Sequence, residues 1–475
     1  MEDPLDGAAL SIENGSSTND LLKREVGFSA DSIPVSPSRP CFQKVWRSWL
    51  SINDSWTSKW WYAAVHNITA VIGAGVLSLH GAMVDLSWAP GIFVLCVIGI
   101  ISLSTMWQMI ELHELDGKRM DRYHELGQRA FGKKLGLWIV VPMQMLVEIG
   151  VDTVYLLTAG KSIRKIHSLL YGCPIQDSSC NWELRYCIMA FASVQLLLSQ
   201  LPHFTSITWV SIIAAFMSLG YSTIAWVATL MRERSPTVSY EFPKATSTAD
   251  VIFGVFSSLG QISFAFAGHN IVLEIQATIP STIERPSKIS AWNGALLAYT
   301  MTILCYFPNA LVGYYVFGNQ KNHDMHVLEI LDKPVWLVAL GNAMVVTHMC
   351  GGFQIFAMPL FDNVEMLLTN LWKVNGGINL RLLVRSIYVA FTCFLAVTFP
   401  FFDDLLAFVG GIAFVPTTFL LPCIIWQILR KPRTFGLPWL ANMACIGVGF
   451  FLTIASTAGG LRNILLKASH YQFYK

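Results

Sequence analysis

The chain has 475 residues, 54% of them hydrophobic and only 13% charged, with a mean hydropathy of +0.51; this excludes an ordinary soluble domain and places the chain in a lipid bilayer. The net charge of +2 offers nothing to nucleic acid, so the informative feature is where the basic residues fall. Ten scattered cysteines with no CxxC pair and no Cys/His spacing give no reason to expect a metal.

In chain order, residues 1–58 are polar, partly acidic and rich in Ser and Pro. They read as a disordered cytoplasmic tail without a secretory signal. Apolar runs of about 18 to 25 residues, each long enough to cross hydrocarbon, then follow at 61–86, 88–111, 135–160, 183–201 and 207–230. A second set lies at 251–278, 290–316, 334–360, 383–399 and 404–429, and an eleventh at 437–458. The expected fold is an all-α integral membrane protein of about eleven transmembrane helices. Two five-helix units occupy 59–230 and 250–430, and 431–475 holds the eleventh helix and a short tail.

The first and sixth runs are broken near their middles, one by Gly73-Ala74-Gly75 and the other by Phe264-Ala265-Phe266-Ala267-Gly268-His269-Asn270. Backbone groups freed by a break are tolerated in hydrocarbon only where they are buried in protein or face a wet cavity. Half-helix ends aim partial charges of both signs at that cavity, which suits a solute with a carboxylate and an ammonium group. Five is odd, so the second unit enters from the opposite side and an inverted repeat follows. Glycines used only for close helix packing are the plainer alternative. The substrate site is therefore expected at Ile72, Gly73, Ala74, Gly75 and Val76, facing Phe264, Ala265, Phe266, Ala267 and Gly268.

With the N-terminus cytoplasmic, about twenty Lys and Arg fall inside and about twelve outside, as the positive-inside rule favours. The C-terminus is then outside. Sequons at Asn14 and Asn53 should stay unmodified in a cytoplasmic tail, and Asn67 should be buried in the first span. Cys173 and Cys180 fall in the polar loop after the third span, on the outer side, where either a disulfide or two free thiols would fit. Residues Tyr123 to Gly132 read as a short amphipathic segment on the inner surface.

In the third span Gln144, Glu148, Asp152 and Tyr155 share one helical face. Two acids one turn apart in hydrocarbon, each costing about 2.5 to 3.5 kcal/mol, commonly mark an ion or proton path, and one of the pair is expected to carry a proton. Alternatively, Asp152 is solvated near the outer interface or paired with Lys161 or Arg164. Beyond the sixth-span break stand His269, Asn270 and Glu274. His269 is a candidate proton group or a structural hydrogen-bonded histidine, and Glu274 a candidate partner of a basic loop or inner gate. Asn342, His348, Gln354, Asp403 and Asp404 are lesser candidates, since single polar residues in bundles mostly serve helix packing. No nucleophile and base stand together, so no catalytic residues and no enzyme activity are expected.

The stretches His66 to Leu79, Arg122 to Gly127, Gly268 to Pro280 and Phe356-Ala357-Met358-Pro359 with Phe361-Asp362 resemble the lysine/histidine transporter branch of the plant amino acid/auxin permease family. That resemblance implies a LeuT-type (APC) fold and proton-coupled amino acid import at the plasma membrane, with substrate between the first and sixth spans. No cofactor is expected beyond the proton as coupling ion; membrane lipid is an expected partner, and the sequence leaves the oligomeric state open, with a monomer the simplest expectation. Transport of auxin or another carboxylate without an ammonium group is the competing expectation. One departure stands out: His80-Gly81 occupies the place where relatives usually carry Pro-Tyr.

Overall fold

The computed structural model describes residues 60–174, 180–200, 207–234, 236, 238–241, 247–282, 284–320, 325–371 and 377–471. The expected N-terminal tail, with Asn14 and Asn53, lies outside these residues. Among them the chain is almost entirely helical. The first span is α1 (Trp60–Val71), a 3₁₀ turn (Ala74–Ser78) and α2 (Leu79–Leu86), and its two halves meet at a 44° bend. Then come α3 (Trp88–Leu112), a small hairpin of β1 (Glu114–Leu115) and β2 (Lys118–Arg119), α4 (Tyr123–Phe131), α5 (Lys133–Tyr171), α6 (Leu184–Gln200) and α7 (Ile207–Leu230). In the second half, α8 (Thr248–Ala265) breaks, turns through His269–Ile271 and resumes as α9 (Val272–Ala277). There follow α10 (Ser287–Phe317), the short α11 (Val327–Ile330), α12 (Val335–Leu371), α13 (Ile378–Thr398), α14 (Phe402–Val409), two π-helical turns, α15 (Leu421–Arg430) and α16 (Leu437–His470).

Nine described helices are long and apolar enough to cross a membrane, and the bent first pair raises this to ten. The 17-residue α6, about 26 Å at 1.5 Å per residue, stands at the short end of the spanning range. Three helices overrun their expected ends. The structure extends α5 to Tyr171, α12 to Leu371 and α16 to His470, because hydrocarbon thickness limits the apolar run and not the hydrogen-bonded helix, which continues into polar residues beyond it. Tyr123–Phe131 is the helix expected there, with Tyr123, Leu126 and Gly127 buried.

A main core of apolar side chains surrounds the two breaks, with Ile72, Leu77, Val154, Ile262, Phe266 and Phe353 among its members. A second cluster, around Met106, Tyr123, Leu126, Ile271 and Ile425, packs α4 against the bundle on the α9 side. Cys173 and Cys180 are joined in a disulfide with 5.6 Å between their Cα atoms. Nearby, Glu329 of α11 pairs with Arg164 at 2.7 Å and Lys161 at 3.8 Å, and Lys165 pairs with Asp332 at 2.6 Å.

Candidate substrate site

The two breaks lie against each other. A side chain on Gly75 would come within 2.7 Å of the Ala265 Cα, so glycine is what lets the two backbones meet. At Gly268 φ is +157° and a Cβ would stand 2.8 Å from the Val71 side chain, a conformation and a space that both exclude larger residues. Gly73 precedes the 3₁₀ turn. The N–H groups of Ala74 and Gly75 therefore open that turn with no carbonyl behind them, while Val76 closes the first i→i+3 bond back to Gly73.

The freed carbonyls are met by hydroxyls that sequence reading did not single out. Tyr306 of α10 is 2.7 Å from both Val71 O and Ala265 O. Tyr221 of α7 donates to Gly73 O at 2.9 Å, with Ile72 O at 3.4 Å. Ser102 of α3 donates to Phe266 O at 2.7 Å and is itself 2.6 Å from the Tyr299 hydroxyl. The Ala265 and Phe266 carbonyls thus each have a hydroxyl partner in the substrate-free protein. A hydroxyl carries one proton, so it serves Val71 O and Ala265 O in turn; Val71 O also accepts from Gly73 N–H at 3.1 Å, and with two lone pairs on each carbonyl the pair retains acceptor capacity. The available signal was a tyrosine deep in an apolar span, whose hydroxyl must find a partner when buried. On the far side, the π-helical turns Gly410–Phe414 and Pro416–Leu420 bring Phe414 edge-on to Phe264 with centroids 5.0 Å apart. Phe264 and Ala267 bond locally, Ala267 N–H to Phe264 O at 3.3 Å.

The acidic face of α5 is buried within the bundle. Glu148 is 1% exposed and its Oε2 has no hydrogen-bond partner. Asp152 is equally enclosed and accepts from the Tyr388 hydroxyl at 2.6 Å; that oxygen also lies 3.1 Å from Glu148 O. Solvation or pairing of Asp152 near the outer interface is thereby overturned. Lys161 and Arg164 turn instead to Glu329, because they lie two and three turns further along the helix. Glu274 is half-buried, and the charged groups acting on it are Arg122, just before α4, and Asp362 of α12. Glu274, Asp152 and Asp362 are in turn the electrostatic neighbours of Glu148. The Arg-Tyr-His loop, the sixth span and the Phe-Asp pair of α12, far apart in sequence, thus surround one set of carboxyls. Tyr123 locks the loop by donating to Thr417 O at 2.7 Å.

His269 does not reach these acids. Its Nε2 lies 3.0 Å from Ser102 O and from Thr105 Oγ1, so Nε2 carries the hydrogen and the ring ties the sixth span to α3. The lesser candidates serve helix packing: Asn342 donates to Leu328 O and Val338 O, His348 contacts Ala214 O, and Gln354 bonds Gln195 and Ser199. Asn67 is buried in α1. Among the described residues no group of three or more His, Cys, Asp or Glu is placed to hold a metal ion.

A family profile described as transmembrane amino acid transporter protein matches residues 56–462. Lysine histidine transporter-like 6 of Arabidopsis thaliana is 49% identical over 446 residues, covering 93% of this chain and 99% of that protein. Lysine histidine transporter-like 1 of the same plant is 50% identical over 454 residues, covering 94% and 98%, and amino acid permease 8 is 30% identical over 450 residues, covering 88% and 94%. Among solved structures, the crystal structure of MhsT in complex with L-phenylalanine superposes with a TM-score of 0.54 at 11% identity, covering 87% of this chain and 99% of the other. At that identity the likeness speaks for the fold alone, which is the expected LeuT-type bundle. Profile and relatives span nearly the whole membrane region, and the chain belongs to the transmembrane amino acid transporter family.

Proposed function

We propose that this protein is a proton-coupled amino acid importer that works by alternating access, binding its zwitterionic substrate between the broken first and sixth spans. The observation that carries the reading is the pair of breaks pressed together at Gly75 and Ala265, with unpaired N–H groups on one side and two carbonyls sharing one tyrosine proton on the other. The N–H groups of Ala74 and Gly75 would hold the carboxylate, at the positive end of the segment that runs on into α2. The Val71 and Ala265 carbonyls would accept from the ammonium, a role that auxin and other plain carboxylates cannot fill.

Glu148 is the preferred proton carrier, with Asp152, Glu274 and, less directly, His269 as alternatives. It is enclosed, has an unpartnered oxygen and stands among other carboxyls. Proton binding there would favour the loaded outward-facing state and release would reset it. One proton crossing about 100 mV supplies about 2.3 kcal/mol and each pH unit about 1.4 kcal/mol. Two pH units then make about 5 kcal/mol available, enough for accumulation on the order of a thousandfold. In this reading the two five-helix units form an inverted repeat, the protein is a monomer, the N-terminus is cytoplasmic, the C-terminus is outside and the location is the plasma membrane. Radiolabelled uptake in a transport-deficient cell, competed by a panel of amino acids and by auxin at two external pH values, tests it. Saturable, acid-stimulated uptake competed by amino acids is expected. Competition by auxin alone, or uptake that does not saturate, would refute it.

A further inference from the structure

Three helices carry one pattern at the end of the bundle away from α11. Arg232 reaches both Ile330 O of α11 at 3.4 Å and the ring of Phe317, the last residue of α10, at 5.2 Å, so the start of α10 lies at the opposite end. There Lys288 is the second residue of α10, Glu111 the last but one of α3, and Arg430 the last of α15. Each has a tryptophan four residues, about 6 Å, further into its own helix: Trp292, Trp107 and Trp426. Both tiers are joined across the helices. Trp107 and Trp426 stand with ring centroids 4.9 Å apart, and Trp292 and Trp426 pack on the same apolar cluster. In the outer tier Glu111 Oε2 lies 3.1 Å from Lys288 Nζ and 3.4 Å from Arg430 Nη2, and the Arg430 guanidinium covers the Trp426 ring at 5.5 Å.

Tryptophan gathers at the headgroup level of a bilayer, so a charged tier about 6 Å outside it stands at the height of the lipid phosphates. One carboxylate between two cations leaves that tier positive. The turn from α15 to α16 adds Lys431 and Arg433, both exposed, which makes four cations to one acid. Other charges nearby cancel: Glu284 and Arg285 are neighbours in the loop before α10, and Glu114 accepts from Ser281 and Ser287 at 2.9 and 2.6 Å and lies 3.9 Å from Arg119. The same turn runs on into Phe435 and Leu437, 77% and 81% exposed. Cations beside projecting apolar side chains match a surface that is anionic outside and hydrocarbon within.

We propose that the crevice between the ends of α3, α10 and α15 and the turn into α16 holds the headgroup of an anionic phospholipid. The phosphate lies between Lys288 and Arg430, whose five N–H donors exceed what Glu111 takes up. Lys431 and Arg433 flank the rest of the headgroup and repel the ammonium that a zwitterionic lipid would bring there. Trp107 and Trp426 lie beneath, against the glycerol and the upper acyl chains. The inference rests on the membrane class of the chain and not on the transport reading, so either can fail without the other.

The test follows thermal unfolding of the purified full chain in neutral detergent as short-chain phosphatidylglycerol, short-chain phosphatidylcholine or glycerol 3-phosphate is added. Phosphatidylglycerol should raise the melting temperature saturably, as a ligand of the folded state does. The other two should leave it unmoved at the same concentration. A basic residue beside an anionic lipid surface contributes about fivefold in affinity, so Lys431→Gln with Arg433→Gln should weaken the apparent affinity for phosphatidylglycerol about twenty-five-fold. Both side chains are exposed, so the lipid-free melting temperature should not change. Equal shifts with the two lipids, or an affinity unmoved in the double variant, overturn the proposal. An equal shift with glycerol 3-phosphate overturns it too, since the site would then take a free phosphate. If the double variant melts lower without lipid, Lys431→Gln alone decides: a loss of about fivefold supports the site and no loss overturns it.

Discussion

Replacing Tyr306 with Phe removes one oxygen and one proton from the point where the broken helices meet. That hydroxyl stands 2.7 Å from Val71 O and 2.7 Å from Ala265 O; Val71 O keeps the Gly73 N–H at 3.1 Å, so the variant deprives chiefly the Ala265 carbonyl. A buried acceptor deprived of its partner costs about 1 to 3 kcal/mol, while interhelical hydrogen bonds in membranes average about 0.6 and reach about 1.7 kcal/mol. The expected loss in the substrate-free protein is therefore about 1 to 2 kcal/mol, or a few degrees in apparent melting temperature. Substrate at about 100 times its Kd stabilises the wild type by about 2.7 kcal/mol. In Tyr306→Phe the ammonium group would also supply donors that the carbonyls lack, so the substrate-induced rise should be larger than in wild type. A carboxylate analogue without the ammonium should not show the extra gain. Thermal unfolding of the purified protein with and without each ligand measures this. An unchanged substrate-free melting temperature, or an equal amino acid shift in both proteins, would refute the shared-carbonyl argument.

Glu148→Gln keeps the shape of the side chain and removes its exchangeable proton. Counterflow of pre-loaded amino acid should persist while accumulation driven by two pH units falls by about a hundredfold; undiminished acid-driven accumulation would remove Glu148 from the scheme. Gly75→Val places a branched side chain where even a Cβ stands 2.7 Å from the Ala265 Cα. Uptake should drop below a tenth of wild type in protein that still reaches the membrane, and normal uptake would show that the breaks need not touch. Burial pushes the His326 imidazole down to about 3 against about 6.5 in the unfolded chain. Between those values the unfolded state holds the extra proton, so stability falls as pH drops below about 6.5, by up to about 1.4 kcal/mol per unit. His326→Asn should flatten the melting curve against pH by that amount, and parallel curves would contradict it. Glu329 leaves the upper part of that window, above about 4.5, clear. Its burial is outweighed chiefly by Lys161 and Arg164, which hold its carboxyl below its ordinary range, so its contribution is complete above about 4.5 and is lost only as pH falls from there.

The sequence alone determined the membrane class and the two breaks, because each is a local property. Hydrocarbon demands a run of a given length, and Gly73-Ala74-Gly75 and Gly268 cannot hold a continuous helix cheaply. It also singled out Glu148, since an acid in the middle of an apolar run is conspicuous without any fold. Tertiary structure decided who meets whom. Tyr221, Tyr306 and Ser102 are ordinary residues of their own spans, and only the packing of α3, α7 and α10 around the breaks turns them into partners for backbone carbonyls 41 to 235 positions away in sequence. The same holds for Asp152, which periodicity placed on the face shared with Glu148 but which only the approach of α13 gives to Tyr388. Spacing along a helix fixes the direction of a side chain; what lies in that direction is fixed by long-range packing.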